Sequence, residues 1–166
     1  MPFRAQNIDA APDPHRIAVG PGTLAIGGDG LELTATLGAS LAICLRADRC
    51  RLGGLIHVLA ASDDGAPAMA DILSGIDRLA DALGAHGLAR PDLTARLCGA
   101  ARTHFRMRDH GTAIEAACRD HLDGAGIPLL RADLGGIRVR RVAFLTGPGR
   151  LRMTHLSERD APDLPA

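Results

Sequence analysis

The stretch Leu37-Gly38-Ala39-Ser40-Leu41-Ala42-Ile43-Cys44-Leu45, followed by Gly53-Gly54-Leu55-Ile56-His57-Val58, decides how this chain is read. Gly38 marks a tight turn. Leu41–Leu45 is almost wholly apolar, the signature of a strand buried on both faces. Arg46–Arg51 is a polar connection, and Leu52–Leu59 is the next strand. Ser40 and His57 lie at matching ends of these two runs. A hydroxyl and an imidazole so placed can form a nucleophile–base couple. The residues alone leave blander readings open. A serine beside a glycine turn commonly bonds the nearby backbone, and His57 also fits a satisfied core histidine.

Outward from this centre, Leu31–Thr34 alternates and reads as a strand entering the Gly38 turn. Ile17–Ile26 is an apolar run broken by Gly20, Pro21 and Gly22. Ala60–Pro67 is a loop. Met69, Ile72, Leu73, Ile76, Leu79, Ala80 and Leu83 recur at helical spacing, so a helix is expected over Ala68–Leu83 with Gly84 at its C-cap. Leu93–Cys98 is a strand, and Thr103–Gly111 a polar loop. A second helix is expected over Thr112–Leu122, with Thr112 as N-cap and Gly124 or Gly126 as the stop. Ile127–Arg131 reads as a strand, Asp133–Gly136 as a turn, and Ile137–Phe144 with Leu151–His155 as a hairpin around Gly147-Pro148-Gly149. Strands cluster at both ends with helices between them, which favours an α+β layered sandwich over a doubly wound nucleotide fold. We expect one domain over 17–156, between loose tails at 1–16 and 157–166.

Composition excludes several classes. The chain has 166 residues, 46% of them hydrophobic, and a formal net charge of zero. Neutralisation of nucleic-acid phosphates is therefore not its main business, and with 2% aromatic residues it lacks stacking platforms. Every basic residue is Arg, which we read as genomic base composition. Cys44, Cys50, Cys98 and Cys118 form no CxxC unit and read as reduced thiols of a cytoplasmic protein. No signal peptide or membrane-length apolar run is evident. His104, His110 and Cys98 offer only an unspecific spacing, so no metal is expected. The Arg138, Arg140 and Arg141 cluster fits either a solvated strand face or a partner-contacting patch.

Four segments together resemble one known family. Thr34-Ala35-Thr36-Leu37-Gly38-Ala39-Ser40-Leu41-Ala42-Ile43-Cys44-Leu45 is similar to T-x-x-L-G-S-C-V-A-V-x-L. Gly53-Gly54-Leu55-Ile56-His57 is similar to G-G-x-x-H, and Ala95–Ala101 to A-K-[IV]-x-G-G-A. Gly126-Ile127-Pro128 with Asp133–Val142 is similar to G-I-P…D-[LT]-G-G-x-x-x-R-x-V. The family is CheD, the chemoreceptor glutamine deamidases, and the resemblance spans Val19 to His155. It implies an α/β/β/α sandwich of mostly antiparallel strands and hydrolysis of receptor glutamine side chains without a cofactor. It also implies a Cys nucleophile, a His base and a Thr that helps position the His. By position these fall on Ser40, His57 and Thr34.

Ser40 is the decisive departure, because a thiol is readily held as thiolate beside an imidazole and an alcohol is not. The alcohol needs its proton removed during attack. Cys44 shares the strand parity of Ser40 but lies about 13 Å further along, at about 3.3 Å per residue. Ala39 stands where many members carry Ser or Thr, and Ile114 where an Asn is common. Two functions follow from the resemblance. One is a glutamine amidohydrolase acting on methyl-accepting chemoreceptors, with backbone amides near Gly38–Ser40 stabilising the oxyanion. The other is a weak or inactive binding module that docks a chemoreceptor or a CheC-type phosphatase. Neither implies membrane insertion.

Overall fold

A computed structural model describes residues 13–103 and 108–157. The elements run β1 (His15–Ala18), β2 (Leu24–Gly27), β3 (Leu31–Leu37), β4 (Ser40–Ala47), β5 (Leu52–Leu59), α1 (Met69–Gly84), β6 (Leu93–Gly99), α2 (Gly111–Gly124), β7 (Leu129–Leu134), β8 (Arg140–Leu145) and β9 (Arg150–His155). The strands form two sheets, ordered β1-β3-β8-β9 and β2-β5-β4-β6-β7. Pairing is antiparallel except for β1 with β3 and β6 with β7. This is the α+β layered sandwich expected from the sequence.

β4 is buried along its whole length because both of its faces are covered. Leu41, Ile43, Leu45 and Ala47 pack with Ile56 and Val58 of β5 under Ile72, Ile76, Leu79 and Leu83 of α1 and Ile114, Cys118 and Leu122 of α2. Ala42 and Cys44 point the other way. They meet Leu55, Cys98 and the inward residues Leu33, Ala35, Leu37, Val142 and Phe144 of the four-stranded sheet. The period of two along one strand thus serves two cores. Burial of so many Leu, Ile and Val side chains, each contributing about 1.5–3 kcal/mol, is the main force holding the layers together.

Both described helices lie on the outer face of the five-stranded sheet, so the layers run α/β/β. Among the described residues no helix covers the outer face of the four-stranded sheet, where the resemblance implied a fourth layer. That face carries Glu32, Thr34, Thr36, Arg141, Arg152 and Thr154, with Arg16 beside them. Polar side chains do not need an apolar cover.

Helix α1 approaches the sheet closely because two glycines make room. A Cβ on Gly75 would stand 2.9 Å from Val58 Cγ1, and one on Gly54 would stand 2.8 Å from both the Ala25 carbonyl and Leu79 Cδ1.

Several element ends differ from expectation. Gly84 is still helical, and the left-handed residue that ends the segment is Gly87, at φ 84°. Thr112 is not an N-cap, because α2 begins at Gly111. A Cβ on Gly111 would stand 2.7 Å from the Leu134 carbonyl, and its N–H donates to Asp109 Oδ1 at 2.9 Å. Close approach to β7 therefore sets the helix start, and Asp109 satisfies the free amide. β7 runs later than Ile127–Arg131, because Ala132, Asp133 and Leu134 still pair with β6. In the expected N-terminal tail, residues 1–12 lie outside the described residues, while His15 and Arg16 belong to β1. Residues 104–107 of the expected loop and 158–166 of the C-terminal tail also lie outside them.

Candidate functional site

Two passages of the chain from one sheet to the other meet at one end of the sandwich. Val19–Thr23 carries the chain from β1 into β2, and Gly38-Ala39 carries it from β3 into β4. The first is pinned to His57, whose N–H donates to the Thr23 carbonyl at 3.1 Å and whose carbonyl accepts from Gly22 at 2.7 Å. The second is held by its carbonyls. Gly38, Ala39 and Ser40 accept the N–H groups of Ala101, Ala60 and Ala100. A broken apolar run and a glycine turn thereby become the frame of a site.

Ser40 pairs across from Leu59 and Ala42 across from His57, so serine and histidine are diagonal neighbours on the inter-sheet face. Ala42 between them is small enough for the ring to lean across. Ser40 Oγ lies 2.7 Å from His57 Nε2, and His57 Nδ1 lies 2.9 Å from the Val19 carbonyl. A carbonyl can only accept, so Nδ1 carries the proton and Nε2 presents its lone pair. The Ser40 hydroxyl therefore donates to Nε2. This is the protonation pattern a general base needs. Ser40 is 7% exposed and His57 4% exposed, so both bonds are shielded from bulk water.

Thr34 reaches the histidine at one remove. Its carbonyl accepts the Val19 N–H at 2.8 Å, which fixes the peptide whose own carbonyl holds the ring. Both ring nitrogens are occupied by Ser40 and Val19, so neither is left for the Thr34 hydroxyl. Val19 was invisible in the sequence, because a main-chain carbonyl has no side-chain signature. Thr34, Ala35, Thr36, Ala18, Val19, Pro21 and Arg141 wall a cleft of about 370 Å³ that reaches His57.

Below Ser40 the end of β6 is sharply bent. Gly99 has φ 116°, and a Cβ there would stand 2.3 Å from the Ser40 carbonyl. The next residue, Ala100, sits at φ 55°, a conformation that costs an L-residue about 1–2 kcal/mol. Strain of this kind persists where the surroundings over-determine the backbone. Here the Ala100 N–H donates to Ser40 at 2.7 Å.

Three of the four cysteines, Cys44, Cys98 and Cys118, are buried, and Cys50 is exposed. Cys44 is fully buried between the sheets, and burial pushes its thiol well above the ordinary range. Burial likewise raises Cys98 to about 12 and Cys118 to about 11. Of the candidate metal ligands, His110 donates its Nε2–H to the Gly65 carbonyl at 3.0 Å, and His104 lies outside the described residues. Among the described residues no group of three His, Cys, Asp or Glu could hold an ion. The arginine cluster divides. Arg140 turns inward to Asp133 at 2.9 Å and the Gly135 carbonyl at 2.7 Å, while Arg138 and Arg141 face solvent.

A family model described as CheD chemotactic sensory transduction matches residues 69–155, a span that begins after Ser40 and His57. Three curated relatives are each named probable chemoreceptor glutamine deamidase CheD. The protein from Stenotrophomonas maltophilia (strain K279a) is 31% identical over 140 residues, 80% of this chain and 70% of its own. That from Caulobacter sp. (strain K31) is 29% identical over 134 residues, 78% and 71%. That from Bordetella petrii is 28% identical over 161 residues, 93% and 69%. A solved Neisseria meningitidis protein of family DUF152 aligns at TM-score 0.47 and 8% identity, covering 74% of this chain and 64% of that one, too distant to bear on function. With the family model over residues 69–155 and a relative 31% identical along 70% of its length, this chain belongs to the CheD family.

Proposed function

We propose that this chain hydrolyses glutamine side chains of chemoreceptors to glutamate, with Ser40 as nucleophile and His57 as general base. The observation that carries the proposal is the 2.7 Å contact between Ser40 Oγ and a His57 Nε2 whose lone pair is fixed by the Val19 carbonyl. The names of the curated relatives support the substrate class.

His57 removes the hydroxyl proton as Oγ attacks the carboxamide carbon. We assign the amide groups of the Gly38–Ser40 turn to the negative charge that develops on the carboxamide oxygen, because backbone donors aimed at such a charge lower the barrier. The imidazolium then gives its proton to the departing nitrogen, and ammonia leaves. Water attacks the resulting ester with His57 again as base, which releases glutamate and restores the hydroxyl. Thr34 and Val19 keep the ring oriented through both halves. The dyad needs no metal for these steps.

The glutamine enters through the cleft walled by Thr34, Thr36 and Arg141. We place the protein in the cytoplasm, where receptor tails are met. No described helix is long and apolar enough to cross a membrane. Docking to a CheC-type phosphatase, the second partner that the resemblance implies, belongs to the same proposal, and a pull-down with the purified phosphatase tests it.

The experiment is incubation with chemoreceptor cytoplasmic fragments while following ammonia and the glutamine-to-glutamate mass shift. Conversion by the wild type, lost in His57→Ala, is the expected result. No conversion by the wild type or by Ser40→Cys overturns the proposal.

A further inference from the structure

Acids and bases balance over the whole chain, but not along it. Residues 134–157 hold Arg138, Arg140, Arg141, Arg150 and Arg152 and no Asp or Glu. Arg140 is spent internally on Asp133. Arg141 and Arg152 alternate onto the outer face of the four-stranded sheet, where β1 adds Arg16.

These three arginines border a groove of about 470 Å³ whose remaining lining is Glu32, Thr34, Val142, Ala143 and Thr154. Among the described residues that line it, Glu32 is the one carboxylate, and it is 2% exposed. One oxygen accepts from Arg16 and the other from Arg152, each at 2.7 Å. The buried carboxylate therefore holds two guanidinium groups in place and offsets one of their two charges, so that with Arg141 the three arginines leave the groove net positive. Arg141 has no ion pair among the described residues. The groove shares Thr34 and Arg141 with the cleft that reaches His57. A chain lying along the groove would lead into the cleft.

We infer that this face seats an acidic stretch of the protein substrate, so that carboxylates flanking the target glutamine are held by Arg141, Arg152 and Arg16 while the glutamine enters the His57 cleft. The inference rests on the deamidase reading and adds a substrate preference to it. Charge complementarity of this kind sets orientation and encounter rate, and it weakens with salt. Nucleic acid is the poorer occupant, because the rest of this zero-net-charge chain does not attract phosphates.

The test measures binding by fluorescence anisotropy for two peptides, one with glutamine between glutamates and a twin with serines in their place. The wild type binds the acidic peptide about tenfold tighter at low salt, and the preference shrinks as salt rises. Arg141→Glu abolishes the preference, and Arg141→Ala, with no charge reversed, reduces it. Equal binding of the twins, or a preference unchanged in Arg141→Glu, overturns the inference. So does a DNA duplex that displaces the acidic peptide at lower concentration than unlabelled peptide does. Glutamine conversion in the same samples separates the two claims. Conversion without a charge preference refutes the docking face alone. A charge preference without conversion refutes the deamidase reading alone.

Discussion

Replacing Ser40 with cysteine is the perturbation whose effect follows most closely from the geometry. The hydroxyl donates to His57 Nε2 at 2.7 Å, and the Val19 carbonyl, by accepting from Nδ1, leaves Nε2 as the lone-pair nitrogen of the neutral ring. A thiol titrates near 8.5, about two units above an imidazole in water, so moving its proton onto such a ring costs about 2–3 kcal/mol before any help from the site. An alcohol starts several units further away and must be deprotonated within the attack itself. If one unit of that gap survives in the transition state, the barrier falls by about 1.4 kcal/mol, a tenfold rise in rate. The side chain is nearly isosteric and the position is 7% exposed, so thermal stability changes by less than about 1 kcal/mol. The assay is kcat/KM for glutamine conversion in a receptor peptide, measured beside the melting temperature. A Ser40→Cys protein that folds normally yet is no faster than the wild type would contradict this expectation. It would mean that the pocket is organised for alcohol chemistry and that thiolate character is not limiting.

Four other outcomes are expected. His57→Ala lowers kcat by about 10²–10⁴, the usual worth of a positioned base, with little change in KM. Gly54→Ala destabilises by about 1–3 kcal/mol in urea unfolding, because its Cβ would meet backbone on one side and Leu79 on the other, each at 2.8 Å. Ala100→Gly relieves a φ of 55° and stabilises by up to about 1 kcal/mol in the same assay. The fourth concerns acid. The bond from Arg16, helped by Arg152, holds the Glu32 carboxyl below its ordinary range, and the Gly111 and Gly136 amides do the same for Asp109. A lowered folded value gives stability that is present above about pH 4 and is lost as pH falls through that value. Asp109→Asn therefore flattens the acid limb of a melting-temperature profile, and an unchanged limb would contradict this.

The central sheet was legible because β4 and β5 announce themselves by continuous apolar runs, and Leu52–Leu59 is bounded in the structure as the sequence suggests. α1 was legible from its stripe of Ile72, Ile76, Leu79 and Leu83. The edges were less so. β7 is exposed at Leu130 and Arg131, so no alternation marks it, and its end is set by pairing with β6. The start of α2 depends on contact between Gly111 and β7, a long-range fact that no capping rule encodes. At the site, spacing brought Ser40 and His57 forward as a couple. The third member escaped notice because its function lies in the Val19 main chain, and the side chain there is an ordinary core valine. The arginine cluster could not be divided from sequence, since inward and outward positions of β8 depend on strand register.

The most direct measurement is a mass-spectrometric map of protein quenched in acid during turnover of a glutamine peptide. An ester adduct of the peptide is expected on the fragment containing Ser40, absent from Ser40→Ala and absent from His57→Ala. Turnover that continues undiminished in Ser40→Ala, or an adduct on any other side chain, would contradict it.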